Sequence, residues 1–234
     1  MLLDLTARTV LLPVLLGQGM YARKTARMLS EPSGARQGRV GQGPPMRILI
    51  VGDSSAAGVG VPTQADALTG QVTRRLEASY TVDFHLSAAC GARTADAIAR
   101  LEALEAAPFD VAVTALGVND VTKGVTLRRW LDQQKALYDL LKTKFGVRLI
   151  LVSGVPPVHQ FPLLPNPLRW VLGRQAQRFD HALHMMAGEQ KGVEVLTFDM
   201  TLNADNMAED GFHPGPDVYA HWADLVANRV RALG

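Results

Sequence analysis

A chain of 234 residues that is 47% hydrophobic and 20% charged, without a low-complexity tract, has enough interior for one proper core, which excludes a wholly disordered or fibrous protein. The formal charge of +2 hides an asymmetry: residues 1–47 carry seven Lys or Arg against two acids, and the remainder carries 17 against 20. The body is therefore slightly acidic, which speaks against a nucleic-acid-binding face, and the single cysteine, Cys90, excludes an intrachain disulfide and any Cys-rich metal site.

In chain order, the apolar run Val10 to Leu16 comes first, interrupted by Pro13, preceded by Asp4 and followed by Arg23, Lys24 and Arg27. It is too short to span a bilayer. Three readings stand: a cleaved signal, an extra helix packed on the domain, or a peripheral membrane contact through residues 1–30. In the last, Leu11, Leu12, Leu15 and Leu16 insert while the basic residues meet anionic headgroups. The compartment stays open between cytoplasm, membrane periphery and periplasm or exterior, and the sequence is silent on oligomeric state. Ser30 to Pro45 is rich in Gly, Pro and polar residues and reads as a linker, so the chain divides into an appendage of residues 1–45 and a folded domain of residues 46–234.

From Arg47 onward, five short apolar runs alternate with longer segments of helical spacing, the pattern of βαβ units around a parallel sheet. The runs are Arg47 to Gly52, Thr81 to Leu86, Asp110 to Leu116, Arg148 to Ser153 and Val193 to Phe198, rich in Val, Ile, Leu or Phe as doubly covered strands should be. Between them, helical stripes run through Leu68, Val72 and Leu76, through Ala97, Ile98, Leu101 and Leu104, and through Leu127, Leu131, Leu137, Tyr138 and Leu141. A last helix is predicted from about Pro216 to about Ala232. One connection, Val155 to Arg178, holds five prolines and several large apolar residues. A connection of that length is often a lid or pocket wall, which makes Phe161, Leu163, Leu164, Leu168 and Trp170 candidates for lining an apolar substrate pocket.

The chemistry concentrates where strands end. Ile48 to Gly60 reads as a buried strand that stops at Gly52-Asp53-Ser54 and passes into small residues, so a serine is delivered where parallel sheets meet their ligands. Near the C-terminus, Asp210-Gly-Phe-His213 places a carboxylate three residues before a histidine in a turn-forming segment. An imidazole can take a hydroxyl proton, and a neighbouring carboxylate fixes its tautomer and stabilises the cation that forms. After the next two strands come Ser87 to Asp96 and Gly117-Val-Asn119-Asp120. The backbone N–H groups of Ser54 and Gly91 and the amide of Asn119 would supply three donors to an oxyanion. Taken singly, Gly91 reads equally as a turn glycine and Asn119 with Asp120 as a turn or helix cap. His85, His159, His181, His184 and His221 have no comparable partner arrangement, and two histidines on one helix without a third ligand make a poor zinc site.

Together and in order, Gly52-Asp53-Ser54 with Gly58, then Gly91, then Gly117-Val-Asn119-Asp120, then Asp210-Gly-Phe-His213-Pro resemble the SGNH hydrolases, also called the GDSL esterase and lipase family. The resemblance covers about residues 46–216 and departs from the family name at Ser55, where leucine is usual. It implies a three-layer α/β/α sandwich, flavodoxin-like, with a five-stranded parallel sheet. It further implies a carboxylic ester hydrolase with Ser54 as nucleophile, His213 as base and Asp210 as its partner, an oxyanion hole of Ser54, Gly91 and Asn119, and no metal or organic cofactor. The substrate is then a small-molecule acyl ester, lysophospholipase- or thioesterase-like in kind. The alternatives are an acetylesterase of the same family acting on carbohydrate, and a non-hydrolytic nucleotide-binding module. The residues do not favour the latter, since neither Gly-x-Gly-x-x-Gly nor Gly-Lys-Ser/Thr occurs at the first strand end.

Overall fold

The computed structural model describes residues 2–25 and 27–233 and builds them around one sheet of six strands. These are β1 (Gln37–Val40), β2 (Pro45–Gly52), β3 (Thr81–Ala88), β4 (Val111–Ala115), β5 (Leu149–Ser153) and β6 (Val193–Leu196), in the spatial order β1-β3-β2-β4-β5-β6. Strands β2 to β6 are the five predicted runs, and all pair in parallel. The sixth was not expected. β1 lies inside the segment read as a linker and pairs antiparallel with β3 along its edge. Its sequence, Gln-Gly-Arg-Val, is polar and largely exposed because an edge strand needs only backbone pairing, here reinforced by Arg39 donating to both oxygens of Asp83 at 2.6 and 2.9 Å. The domain boundary therefore moves: the sheet begins at Gln37, and a start at Met46 would cut β2 one residue in.

Strand β2 shows why both faces of the sheet are covered. Its side chains alternate, Ile48 and Ile50 towards one layer, Leu49 and Val51 towards the other, and all four are fully buried. The first layer holds α3 (Leu68–Leu76) and α8 (Pro216–Arg231), with Val72, Leu76, Tyr219 and Val226 against the sheet. The second holds α4 (Thr94–Ala103), α6 (Leu127–Phe145) and α7 (Leu168–Gly188), where Trp130 stacks on Phe179 with ring centres 4.7 Å apart. Helix α6 begins where Thr126 accepts from the N–H of Arg129 and ends at Gly146 in the left-handed region, with Lys142 and Lys144 in its last turn. Pro216 opens α8 as predicted.

The N-terminal run is a helix, α1 (Leu2–Thr25), carrying Pro13 inside it and packed against α7. No helix among the described residues is long and apolar enough to cross a membrane.

The register sets the site. Gly52 pairs with Ala88 on one side and Ala115 on the other, so β2, β3 and β4 end side by side. The chain leaves β2 for β3 and then returns past it to β4, which makes the end of β2 a topological switch point, the place where open α/β sheets leave a crevice.

Candidate active site

Just beyond Gly52, Asp53 caps a one-turn helix α2 (Ser54–Ala57) that presents Ser54 at the floor of the crevice. The turn is held from below by Tyr219 of α8, whose hydroxyl lies 2.8 Å from both the Ser55 and the Val59 carbonyl oxygens. Gly60, at φ +111°, lets this segment meet the C-terminal loop: a Cβ there would overlap the carbonyl of Pro214. Across that contact Ser54 Oγ lies 2.8 Å from Nε2 of His213, and His213 Nδ1 lies 2.5 Å from Oδ2 of Asp210. The other oxygen of Asp210 accepts from the backbone N–H groups of Phe212 and His213 at 2.9 and 3.0 Å. Burial pushes the Asp210 carboxyl up, but the bonds from the His213 ring and these two N–H groups outweigh it and hold the group below the ordinary carboxylate range. A serine, an imidazole and an ionised carboxylate thus form one chain of hydrogen bonds.

The second and third elements arrive from β3 and β4. Gly91, at φ +70°, turns the chain after β3 in a conformation that glycine adopts without strain. Asn119 opens the short helix α5 (Val118–Thr122) after β4, and its amide donates to Oδ2 of Asp53 at 3.2 Å. The two loops are tied to each other: Lys123 Nζ donates to the Gly91 carbonyl at 2.6 Å. The buried carboxylate of Asp120 accepts from the N–H and hydroxyl of Thr94 at the start of α4. Gln134 of α6 in turn donates to the Thr94 hydroxyl at 3.1 Å.

Asp53 is the residue sequence reasoning quoted but gave no role. It is buried, and its Oδ1 accepts from both the N–H and the hydroxyl of Ser55, at 2.9 and 2.7 Å, while Oδ2 holds Asn119. Burial pushes its carboxyl up, opposed by the two bonds from Ser55, by the charge of His213 and by the Asn119 amide. The hydroxyl of Ser55, the departure from the usual leucine, is thus directed at Asp53, while Ser54 faces His213. Asp120 and Tyr219 were missed as well. Asp120 stood in the Gly-Val-Asn-Asp motif as a nominal cap, and nothing in a sequence marks a tyrosine on α8 as the support of a turn far along the chain.

From Ser54 a cavity of about 340 Å³ opens along the ends of β5 and β6. Val155, Phe161, Phe198, Leu202, Met207, Phe212 and Trp222 supply much of its wall, with Gln177, Asp180 and His184 of α7 adding polar groups. Of the five residues predicted to line a pocket, only Phe161 does so, meeting Phe212 edge to face at 5.1 Å, directly beside His213. Leu164 and Leu168 are core residues under α7, Leu163 touches the catalytic loop through its backbone N–H to the Gly211 carbonyl, and Trp170 is exposed. The long connection is a wall, but most of its large side chains face the core. His159 and His184 line the cavity, whereas Cys90 is exposed and is not part of its lining. Among the described residues no group of three or more His, Cys, Asp or Glu side chains is placed to hold a metal ion.

The four sequence blocks, now in one site, agree with a family model, the GDSL-like Lipase/Acylhydrolase family, that matches residues 50–221. The chain belongs to this family. Membership in the GDSL-like acylhydrolases makes it a carboxylic ester hydrolase and sets aside the nucleotide-binding alternative. The fold is shared with solved structures at low identity. A lipolytic protein of the G-D-S-L family from Veillonella parvula superposes with a TM-score of 0.62 at 18% identity, over 78% of this chain and 97% of that one. The psychrotrophic esterase EstA from Pseudoalteromonas sp. gives 0.60 at 16%, over 80% and 97%. The acetylxylan esterase Axe2 from Geobacillus stearothermophilus gives 0.62 at 16%, over 80% and 95%. No curated protein matches the chain in sequence.

Proposed function

We propose that this GDSL-like hydrolase cleaves acyl esters through a Ser54, His213 and Asp210 triad, with the N–H groups of Ser54 and Gly91 and the amide of Asn119 receiving the oxyanion. The observation that carries the reading is the continuous chain from Ser54 Oγ through His213 to Asp210, at 2.8 and 2.5 Å. In the first step Ser54 Oγ bonds to the carbonyl carbon as its proton passes to His213 Nε2. The ester C–O bond then breaks, and His213 returns that proton to the leaving alcohol. Water gives a proton to His213, attacks the acyl carbon and releases the acid, and Ser54 regains its hydrogen. No cofactor enters these steps.

The cavity supports an acyl chain longer than acetyl, because its walls beside Ser54 are mostly aromatic and aliphatic and its volume is that of a ligand pocket. A carbohydrate acetyl ester is the second reading, and Gln177 and Asp180 at the wall are what favour it. A peripheral membrane contact by residues 1–30 is part of the same proposal and stands with either substrate. Ser54→Ala is expected to abolish hydrolysis of p-nitrophenyl esters and labelling by a fluorophosphonate, while Ser55→Ala remains active and labelled. A chain-length series beside acetylated sugars separates the substrates: rates that rise from acetyl to medium chains support the cavity, and strict acetyl preference overturns it.

A further inference from the structure

Residues 27–36, most of which belong to the segment Ser30 to Pro45 read from sequence as a linker, touch in turn the loops that carry Ser54, Gly91 and Asp210. Arg27 pairs with Glu209, next to Asp210, at 2.6 Å. Pro32 packs on Gly58 just behind α2, close enough that a Cβ at Gly58 would lie 2.8 Å from Pro32 Cγ. Ser33 accepts from the N–H of Gln64 at 2.8 Å. Glu31 accepts from the N–H of Cys90, the neighbour of Gly91, at 3.2 Å and pairs with Arg36, which donates to the Ala88 carbonyl at the end of β3. Upstream, Gln18 of α1 donates to the Asn166 carbonyl at 2.6 Å and accepts from the N–H of Leu168 at 3.0 Å, so α1 is clamped to the start of α7.

These polar contacts go with an outward face of α1 whose apolar side chains stand in water, while Leu15 and Ala22 on the other face pack inward. Leu12, Leu16 and Met20 are 51%, 59% and 67% exposed, and their spacing of four places them in one stripe. Lys24 continues that spacing and is exposed. A single exposed leucine means nothing, but an apolar stripe that ends in lysine has the composition of a bilayer interface. The charge points the same way, for residues 1–30 carry four bases against one acid while the chain beyond residue 47 is net negative. A second copy docked symmetrically on this face would set like charges against each other, whereas anionic headgroups complement them.

We propose that the Leu12, Leu16 and Met20 stripe, with Lys24 at its end, docks on an anionic lipid bilayer, and that residues 27–36, bonded to the loops that carry Ser54, Gly91 and Asp210, tie the site to that surface. This deepens the membrane contact proposed above for residues 1–30 and does not depend on which ester is cleaved. The test is co-sedimentation of the full chain with vesicles of phosphatidylcholine alone and with roughly one third phosphatidylglycerol. Binding to the anionic vesicles is expected to be at least about tenfold tighter and to weaken in high salt. Leu12→Ser with Leu16→Ser and Met20→Ser should lose about tenfold or more of it, with hydrolysis of a water-soluble short-chain ester unchanged. Lys24→Glu, a milder change, should lose severalfold on anionic vesicles only. Ser54→Ala should bind as the wild type does, so a failed esterase reading leaves docking standing, and failed docking leaves hydrolysis of the soluble ester standing. Equal affinity for neutral and anionic vesicles, or none for either, overturns the proposal. So does a dimer that the triple variant abolishes without vesicle binding, which would assign the face to a second copy.

Discussion

Replacing Asp53 by Asn changes one carboxylate oxygen to an NH₂ and tests how the proposed oxyanion hole is held. In the native site both carboxylate oxygens accept, one from the N–H and hydroxyl of Ser55 and the other from the Asn119 amide at 3.2 Å. Asparagine keeps one acceptor. If its oxygen stays with Ser55, its NH₂ faces the NH₂ of Asn119, two donors meet, and Asn119 must turn away or flip its own oxygen towards the substrate. Loss of one such donor costs about 10²–10³ in kcat, about 3–4 kcal/mol of transition-state stabilisation. The imidazolium of His213 also loses a nearby negative charge, which acts in the same direction. KM should barely move, because the donor engages only when charge develops on the oxygen.

Stability should move the other way. A carboxyl whose native pKa is raised by burial is costly at neutral pH, since the folded state prefers the protonated form and its contribution to stability declines as pH rises through that value. Asn removes this cost, so Asp53→Asn is expected to melt at or above the wild-type temperature. Steady-state kinetics on a p-nitrophenyl ester with a parallel thermal melt gives both numbers. A kcat within threefold of wild type, or a fall in kcat that tracks unfolding, refutes the reasoning.

Ser55→Ala removes one of the bonds that oppose burial at Asp53, so the acid limb of the pH–rate profile should shift to higher pH, with kcat at its plateau reduced no more than about tenfold. Asp210, held below its ordinary 3.8, gives its full contribution to stability above that pH and loses it as pH falls through the depressed value. The melting temperatures of wild type and Asp210→Asn should therefore converge only in strong acid, as a thermal melt series across pH would show. Burial and the Glu31 carboxylate push the Cys90 thiol up to about 11, so alkylation by iodoacetamide at neutral pH should be slow despite its exposure, and faster in Glu31→Gln.

The elements that were legible in the sequence are those whose environment writes a pattern. Strands β2, β4 and β5 are covered on both faces and are written as apolar runs, and α6 shows its buried stripe through Leu137, Tyr138 and Leu141. Strand β1 writes nothing, because pairing at an edge is a backbone affair that Gln-Gly-Arg-Val satisfies as well as any sequence. The cavity was misassigned for a related reason. Large apolar residues in a proline-rich connection mark burial, but not which side of the wall they bury against, and Leu164 and Leu168 turned to the core. The opposite wall comes from Phe198, which closes the last predicted strand run but follows β6, and from Leu202 and Met207, in irregular chain that has no period to read.

The pair Asp210 and His213 is weak as a motif, yet the turn explains why three residues separate them. An aspartate whose side chain accepts from the N–H groups two and three residues on closes an Asx-type turn, and Gly211 at φ +64° completes its curvature. The same turn brings the ring of His213 back over the other carboxylate oxygen, so one side chain shapes the loop and orients the imidazole. Asp53 repeats the arrangement at the other end of the site: one oxygen caps α2 through Ser55, and the other fixes Asn119. In both places a short local bond sets the backbone, and the remaining oxygen reaches a residue of the site. This is why Gly-Asp-Ser and Asp-x-x-His can be compact in sequence while the residues they organise come from three separate loops.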